Sequence, residues 1–271
     1  MNLKLACAAL LVSATQASNL VELASGVPDL STLVAAVQAA GLVGALSDPN
    51  TNLTVIAPVN SAFEGLPVDR LIKPEWKPQL TDLLLHHVVG SFIDETTLQA
   101  GDEFTTLNKE NITVSTIDPL VISGATVSFS ASVDNGIAYV VDKVLLPTSA
   151  TNDIVGIAAG NPAFSTLVDL VTKAGLAGAL TAEGPLTVFA PTNDAFDNLP
   201  NGTLTELAKP ENLDKLKDIL TYHVASGNAV SSGLTEGQEI SMLNGKSLKF
   251  MNGMIGSAGL VATDVLASNG K

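Results

Sequence analysis

Cysteine is nearly absent: Cys7 is the only one in 271 residues. A chain cut near Ala17 has none, so it can form no disulfide even in an oxidising compartment, and its stability comes from packing. Basic residues are scarce too, with 13 Lys and Arg against 27 Asp and Glu and a formal net charge of −14. Removing the single positive charge of Lys4 makes that −15. Phosphate binding needs clustered Lys and Arg, so nucleic acid is a poor partner. Three histidines, with no G-x-S-x-G, H-E-x-x-H or phosphate-cradling glycine loop, offer no constellation for catalysis. Neither a catalytic residue, a metal-ligand set nor a cofactor is expected. No calcium loop of alternating Asp and Asn occurs, and no apolar run reaches the roughly 20 residues of a membrane-spanning helix.

Residues 1–17 read as a secretory signal peptide. Lys4 supplies positive charge, Leu5 to Val12 form a short apolar core, and Thr15-Gln16-Ala17 offers small residues before a cut ahead of Ser18. Cys7 lies too early in the segment for a lipoprotein anchor. A secreted, extracellular or cell-surface location follows. That context makes three Asn-X-Thr sequons, at Asn52, Asn111 and Asn201, candidate N-glycosylation sites.

What the chain does have is a repeat. Thr54 to Phe63 reads T-V-I-A-P-V-N-S-A-F, and Thr187 to Phe196 reads T-V-F-A-P-T-N-D-A-F. Around these blocks Ser31-Thr32-Leu33 matches Ser165-Thr166-Leu167, and Lys73-Pro74-Glu75 matches Lys209-Pro210-Glu211. His87 matches His223, and Asn135-Gly136 matches Asn269-Gly270. The spacing is too long for a solenoid. Two domains of one kind are expected, at residues 18–149 and 150–271, with Thr148 to Thr151 as a short linker.

Each copy predicts an early helix with apolar positions at i, i+3, i+4 and i+7: Leu30, Leu33, Val34 and Val37, then Phe164, Leu167, Val168 and Val171. Asn161 before Pro162 suits an N-cap, and Gly41 and Gly175 suit left-handed helix ends. The duplicated block predicts a buried strand stopped by Pro58 or Pro191. After it, Asn60-Ser61 and Asn193-Asp194 are expected to cap the short helix carrying Phe63 or Phe196. A further helix carries Leu80, Leu83, Leu84 and His87, matched by Leu216, Ile219, Leu220 and His223. Both histidines lie on its apolar face, where a hydrogen-bonded core role outweighs that of a ligand or base. His86 takes the place of Tyr222 at the margin of that face.

The end of each copy is β-rich. Phe104 to Leu107, Ile112 to Ser115, Val127 to Val133 and Ile137 to Val141 read as strands, and Asp134-Asn135-Gly136 reads as a type I′ hairpin turn. In the second copy nothing after Gly270 matches Ile137 to Pro147, because the sequence stops at Lys271. The expectation is a fragment or a shortened gene model whose second domain lacks its last strand; were the end native, the strand before it would invite exchange with another molecule.

These marks resemble the fasciclin-like domain family: the T-V-F-A-P-T-N-D-A-F block at Thr187 to Phe196, Tyr222-His223, and the closing block Tyr139 to Pro147. The resemblance covers nearly all of the chain after the signal. It implies an α+β fold, a twisted β-sandwich or wedge flanked by helices, in two copies. It also implies a secreted or surface protein of cell adhesion or extracellular matrix that binds a matrix or cell-surface protein or glycan and is not an enzyme. His86 departs from the family's Tyr-His pair. Members engage receptors near that pair, which nominates Asp218, Ile219, Tyr222, His223, His86 and His87 as adhesion or ligand contacts. Lys217-Asp218-Ile219-Leu220 resembles one such segment, although Ile219 and Leu220 belong to the apolar helix face. The alternative implied by the family is a carrier of a hydrophobic small molecule such as a carotenoid, in a groove between the Tyr-His helix and the sheet.

Overall fold

The computed structural model describes residues 19–271, so the signal peptide expected at residues 1–17 lies outside the described residues. The chain divides between Pro147 and Thr148 into two compact units. In the first unit, helices Leu20–Ser25, Ser31–Ala40 and Val43–Ser47 precede strand β1 (Leu53–Pro58). Helices Val68–Leu71 and Lys77–Leu85 lead to β2 (Val88–Val89). Then come β3 (Glu103–Thr105), β4 (Asn111–Ile117), β5 (Leu120–Ile122), β6 (Ala125–Val133) and β7 (Gly136–Val141). All seven strands form one sheet in the order β2-β1-β7-β6-β5-β4-β3. A bridge between Val89 and Thr106 brings the two edges together, so the sheet curls nearly closed.

The last strand holds the middle. β7 runs parallel to β1, with Leu53 opposite Gly136 and Pro58 opposite Val141, and antiparallel to β6. Its six residues, G-I-A-Y-V-V, are all buried. Successive side chains of a strand point to opposite faces. Ala138 and Val140 therefore join Leu33, Val37, Leu80 and Leu84 under the helices, while Ile137, Tyr139 and Val141 join Ile112 and Val114 inside the curl. A strand buried on both faces reads as one apolar run, as this one does.

Asn135 and Gly136 explain why their positions recur. The turn between β6 and β7 is a two-residue hairpin, but neither Asp134 nor Asn135 has positive φ, so it is not the type I′ turn expected. The Asn135 side chain is instead a tie: it accepts from Leu20 N–H at 2.9 Å and donates to the carbonyls of Leu46 at 2.9 Å and Asp48 at 3.2 Å. Gly136 is there because β1 passes so close that a Cβ would lie 2.0 Å from the Leu53 carbonyl oxygen.

The expected caps are partly redirected. Asn161 caps its own turn, accepting from Ala163 N–H, and Gly41 and Gly175 have φ of 77° and 67°. Asn60, however, makes no cap on the turn that follows it. It accepts from Thr32 N–H at 2.9 Å and donates to Ser31 Oγ at 3.0 Å, so it caps the helix Ser31–Ala40, distant in sequence. Asn193 does the same to Thr166 at 3.1 Å and Ser165 at 3.0 Å. The duplicated block thus fastens strand to first helix.

In the second unit the expected linker is a helical turn, Thr148–Thr151, followed by helices Ile154–Ala159, Ser165–Lys173 and Ala177–Leu180. β8 (Leu186–Val188) leads to helices Asn193–Asp197, Thr203–Leu207 and Leu213–Thr221. β9 (Val224–Ser226), β10 (Glu239–Ser241), β11 (Ser247–Met251), β12 (Met254–Ile255) and β13 (Ala258–Gly259) follow. Here the sheet is split into β8-β9 and β10-β11-β12-β13. Asn269 repeats the tie of Asn135, accepting from Ile154 N–H at 3.0 Å and donating to Leu180 and Ala182 carbonyls at 2.7 and 3.0 Å. Gly270 bridges Leu186 in parallel, and Val188 N–H donates to the Lys271 carbonyl at 2.8 Å. These two residues begin the path that β7 follows in the first unit. Residues 260–266 form no strand, and Val261 is 90% exposed. The type I′ signature falls instead on Asn252-Gly253 between β11 and β12, with φ of 53° and 73°.

Candidate functional site

The helix Leu213–Thr221 buries Leu216 and Leu220 and leaves Lys217 and Asp218 in solvent; Ile219 is half-buried. Ile219 and Leu220 therefore belong to the packed face, as the helical spacing expected, and only Lys217 and Asp218 of that segment are fully presented. Tyr222 and His223 just past the helix are half-buried. The turn between β10 and β11 closes over them. Lys246 Nζ lies 3.0 Å from Asp218 Oδ2 and 5.7 Å from the centre of the Tyr222 ring. Asn244 Nδ2 donates to Asp218 Oδ1 at 3.1 Å. The hydrogen bond from Lys246, and then that from Asn244, hold the Asp218 carboxyl below its ordinary pKa. Asp218, Tyr222, Asn244 and Lys246 thus form one ordered polar surface.

The first unit has the same frame around a buried His86, with Asp82 in the place of Asp218 accepting from Asn108 Nδ2 at 3.4 Å, and the charge is reversed only at the position of Lys246. Asn108 stands for Asn244, and its Oδ1 lies 3.2 Å from His86 Nδ1 while accepting from Thr106 Oγ1 at 2.6 Å. Glu110 stands where Lys246 does, 3.9 Å from His86 Nδ1. An exposed leucine crowns each turn, Leu107 at 43% and Leu243 at 47% exposure. Its backbone is fixed by a bond to Val88 O at 2.8 Å or Val224 O at 2.7 Å. Sequence reasoning missed Asn108, Glu110, Asn244, Lys246 and both leucines. The signal was present as Leu107-Asn108-Lys109-Glu110 over Leu243-Asn244-Gly245-Lys246, a repeat without catalytic character.

Of the two matched histidines, His87 is buried in the core and His223 is half-buried. His87 Nε2 accepts from Leu145 N–H at 2.9 Å, so Nδ1 carries the proton and donates to the Leu83 carbonyl at 2.8 Å. Burial lowers its pKa to about 4, keeping the ring neutral. His223 repeats the bond within the helix, Nδ1 to the Ile219 carbonyl at 2.8 Å. Among the described residues no three His, Cys, Asp or Glu are placed to hold a metal ion, and no helix is long and apolar enough to cross a membrane. An apolar cavity of about 40 Å³ lies beside His87, between the helices and β1, lined by Leu20, Val37, Val43, Val55 and Leu84. The sequon residues Asn52, Asn111 and Asn201 are all exposed.

Two copies of one α+β module, each with an ordered surface at the end of its second long helix, define a tandem-domain protein. The family model described as Fasciclin domain matches residues 28–147 and 162–271, and the chain belongs to that family. Protein sll1483 of Synechocystis is 49% identical over 45% of this chain and 70% of its own length. The rabbit transforming growth factor-beta-induced protein ig-h3 is 31% identical over 94% of this chain, which spans only 36% of that relative. The cell surface glycolipoprotein MPB83 of Mycobacterium bovis is 33% identical over 44% of this chain and 56% of its own. Among solved structures, a FAS1 domain pair from the insect cell adhesion molecule Fasciclin I covers 89% of this chain and 92% of its own, with TM-score 0.43 and 17% identity.

Proposed function

We propose that the chain is a secreted or cell-surface protein of the adhesion or extracellular-matrix type, acting by binding and not by catalysis. The observation that carries this reading is the Asp218–Tyr222–Lys246 surface: polar groups ordered against one another, in solvent, beside an exposed Leu243 on a fixed backbone. An apolar anchor ringed by charge suits a protein or glycan partner better than a small substrate. The name of a relative, a cell surface glycolipoprotein, agrees with such a location. Exposure of Asn52, Asn111 and Asn201 supports glycan attachment at these residues if the chain passes through a glycosylating secretory pathway. The carrier reading has less behind it, since a cavity of about 40 Å³ is far below the several hundred Å³ of ligand pockets.

The test is attachment of cells or matrix to surfaces coated with the full chain. Asp218→Ala is expected to lower attachment several-fold while melting temperature stays within a few degrees, because Asp218 is exposed; Tyr222→Ala should lower both, because the ring also packs on the core of the second unit. Unchanged attachment in both variants would remove this site.

A further inference from the structure

Five asparagines precede glycine: Asn135, Asn201, Asn244, Asn252 and Asn269. In this pair the glycine nitrogen, unhindered by a side chain, can attack the asparagine amide. The fold treats the five unequally. Asn135 and Asn269 are buried, each with its amide bonded to three backbone groups. Asn244 is tied to Asp218, and the nitrogen of Gly245 donates to the Met242 carbonyl at 3.0 Å. Asn252 is exposed but clamped between the paired Met251 and Met254, with its own nitrogen on the Glu236 carboxylate at 3.0 Å. Asn201 alone is both exposed and unclamped. It sits in the turn closed by Thr203 N–H to the Pro200 carbonyl at 3.0 Å. Among the described residues neither its side chain nor the Gly202 N–H takes part in a hydrogen bond.

We propose that Asn201 is the site at which this protein modifies itself by deamidation. The Gly202 backbone nitrogen loses its proton to base and attacks Asn201 Cγ. The Cγ–Nδ2 bond breaks and ammonia leaves, closing a succinimide. Water then opens the ring at either carbonyl, to aspartate or to isoaspartate. The net change is one water taken up and one ammonia released, with no oxidation or reduction. Two consequences follow locally. The surface gains a negative charge and the sequon Asn201-Gly202-Thr203 is erased, so glycan attachment and deamidation at this residue exclude each other. Isoaspartate also lengthens the main chain just before the helix Thr203–Leu207, whose Leu204 and Leu207 pack on the core of the second unit.

The experiment is peptide mapping by mass spectrometry of the full, unglycosylated chain incubated at mildly alkaline pH, native and in denaturant. In the native chain Asn201 is expected to convert first, at least about tenfold faster than Asn135 and Asn269, whose reaction awaits local opening. In denaturant the five rates should converge, since all share the same neighbour. Asn201→Gln should abolish the fast phase of ammonia release. Conversion at Asn252 or Asn244 ahead of Asn201 would overturn the assignment, as would the same ordering and spread in denaturant.

Discussion

The two units share their helices, their asparagine ties and the histidine Nδ1 bond to a helix carbonyl, but one has a single seven-stranded sheet and the other has sheets of four and two strands. The difference is one strand. In the first unit thirteen buried residues line the inside of the curl, three of them from β7; in the second only Ala225, Ile240, Met242 and Ile255 are buried there. Both layers flank the place of β7, so its side chains serve two cores at once, and what pairs with it goes with it. Residues 126–132 lie in a strand and residues 260–266 do not, although they occupy matching positions. The lesson is that sheet membership here is not a local property of β6-like sequence. It depends on the neighbour.

Appending the sequence of Ala138–Pro147 after Lys271 tests this most strongly. It should join the two sheets, protect the amides of residues 260–266 from exchange, and stabilise the second unit. The gain should be about 4 kcal/mol once the entropy of ordering the strand is set against the buried area. An appended chain with no new protection would mean that β7 is not what separates the units.

A smaller effect concerns the first unit and its response to pH. The folded pKa of His87 is lowered to about 4, whereas an unfolded histidine titrates near 6.5. Between these values the unfolded state takes up a proton that the folded state refuses. Stability present above pH 6.5 should therefore be lost as pH falls toward 4, by roughly 3 kcal/mol. Chemical denaturation across that window, for the native chain and His87→Gln, measures it; an equal slope in the variant would assign the loss to other groups.

The smallest expected effect should show no difference at all. Asn60→Ala and Asn193→Ala each remove a cap from the first long helix of their unit, and each should cost about 1 kcal/mol by denaturation. A large inequality would show that the split sheet weakens even the helical layer.

These tests bear on what was legible in sequence. The helix faces were, because Leu33, Val37, Leu80 and Leu84 follow a period that burial imposes on any single helix. So were β4, β6 and β7, by β-branched content, and the core role of His87. The destination of Asn60 was not, since its partner lies at Thr32 and capping looks the same in sequence whichever helix receives it. Nor was the turn chemistry at Asn135, where the amide serves three distant backbone groups. The polar surface escaped for another reason: Asn244 and Lys246 gain meaning only when the β10–β11 turn meets the end of a helix formed earlier in the chain. Local pattern records what a residue is; it does not record who arrives.

The parallel pairing of β1 with β7 also sets an order of events in synthesis. Leu53 must wait for Gly136, and Leu20 for Asn135, so the centre of the first unit cannot close until its final strand has left the ribosome. Until then β1 has only β2 beside it, and β6 is left as the edge of the antiparallel strands β6-β5-β4-β3, so the strand that joins the two groups is also the one that arrives last.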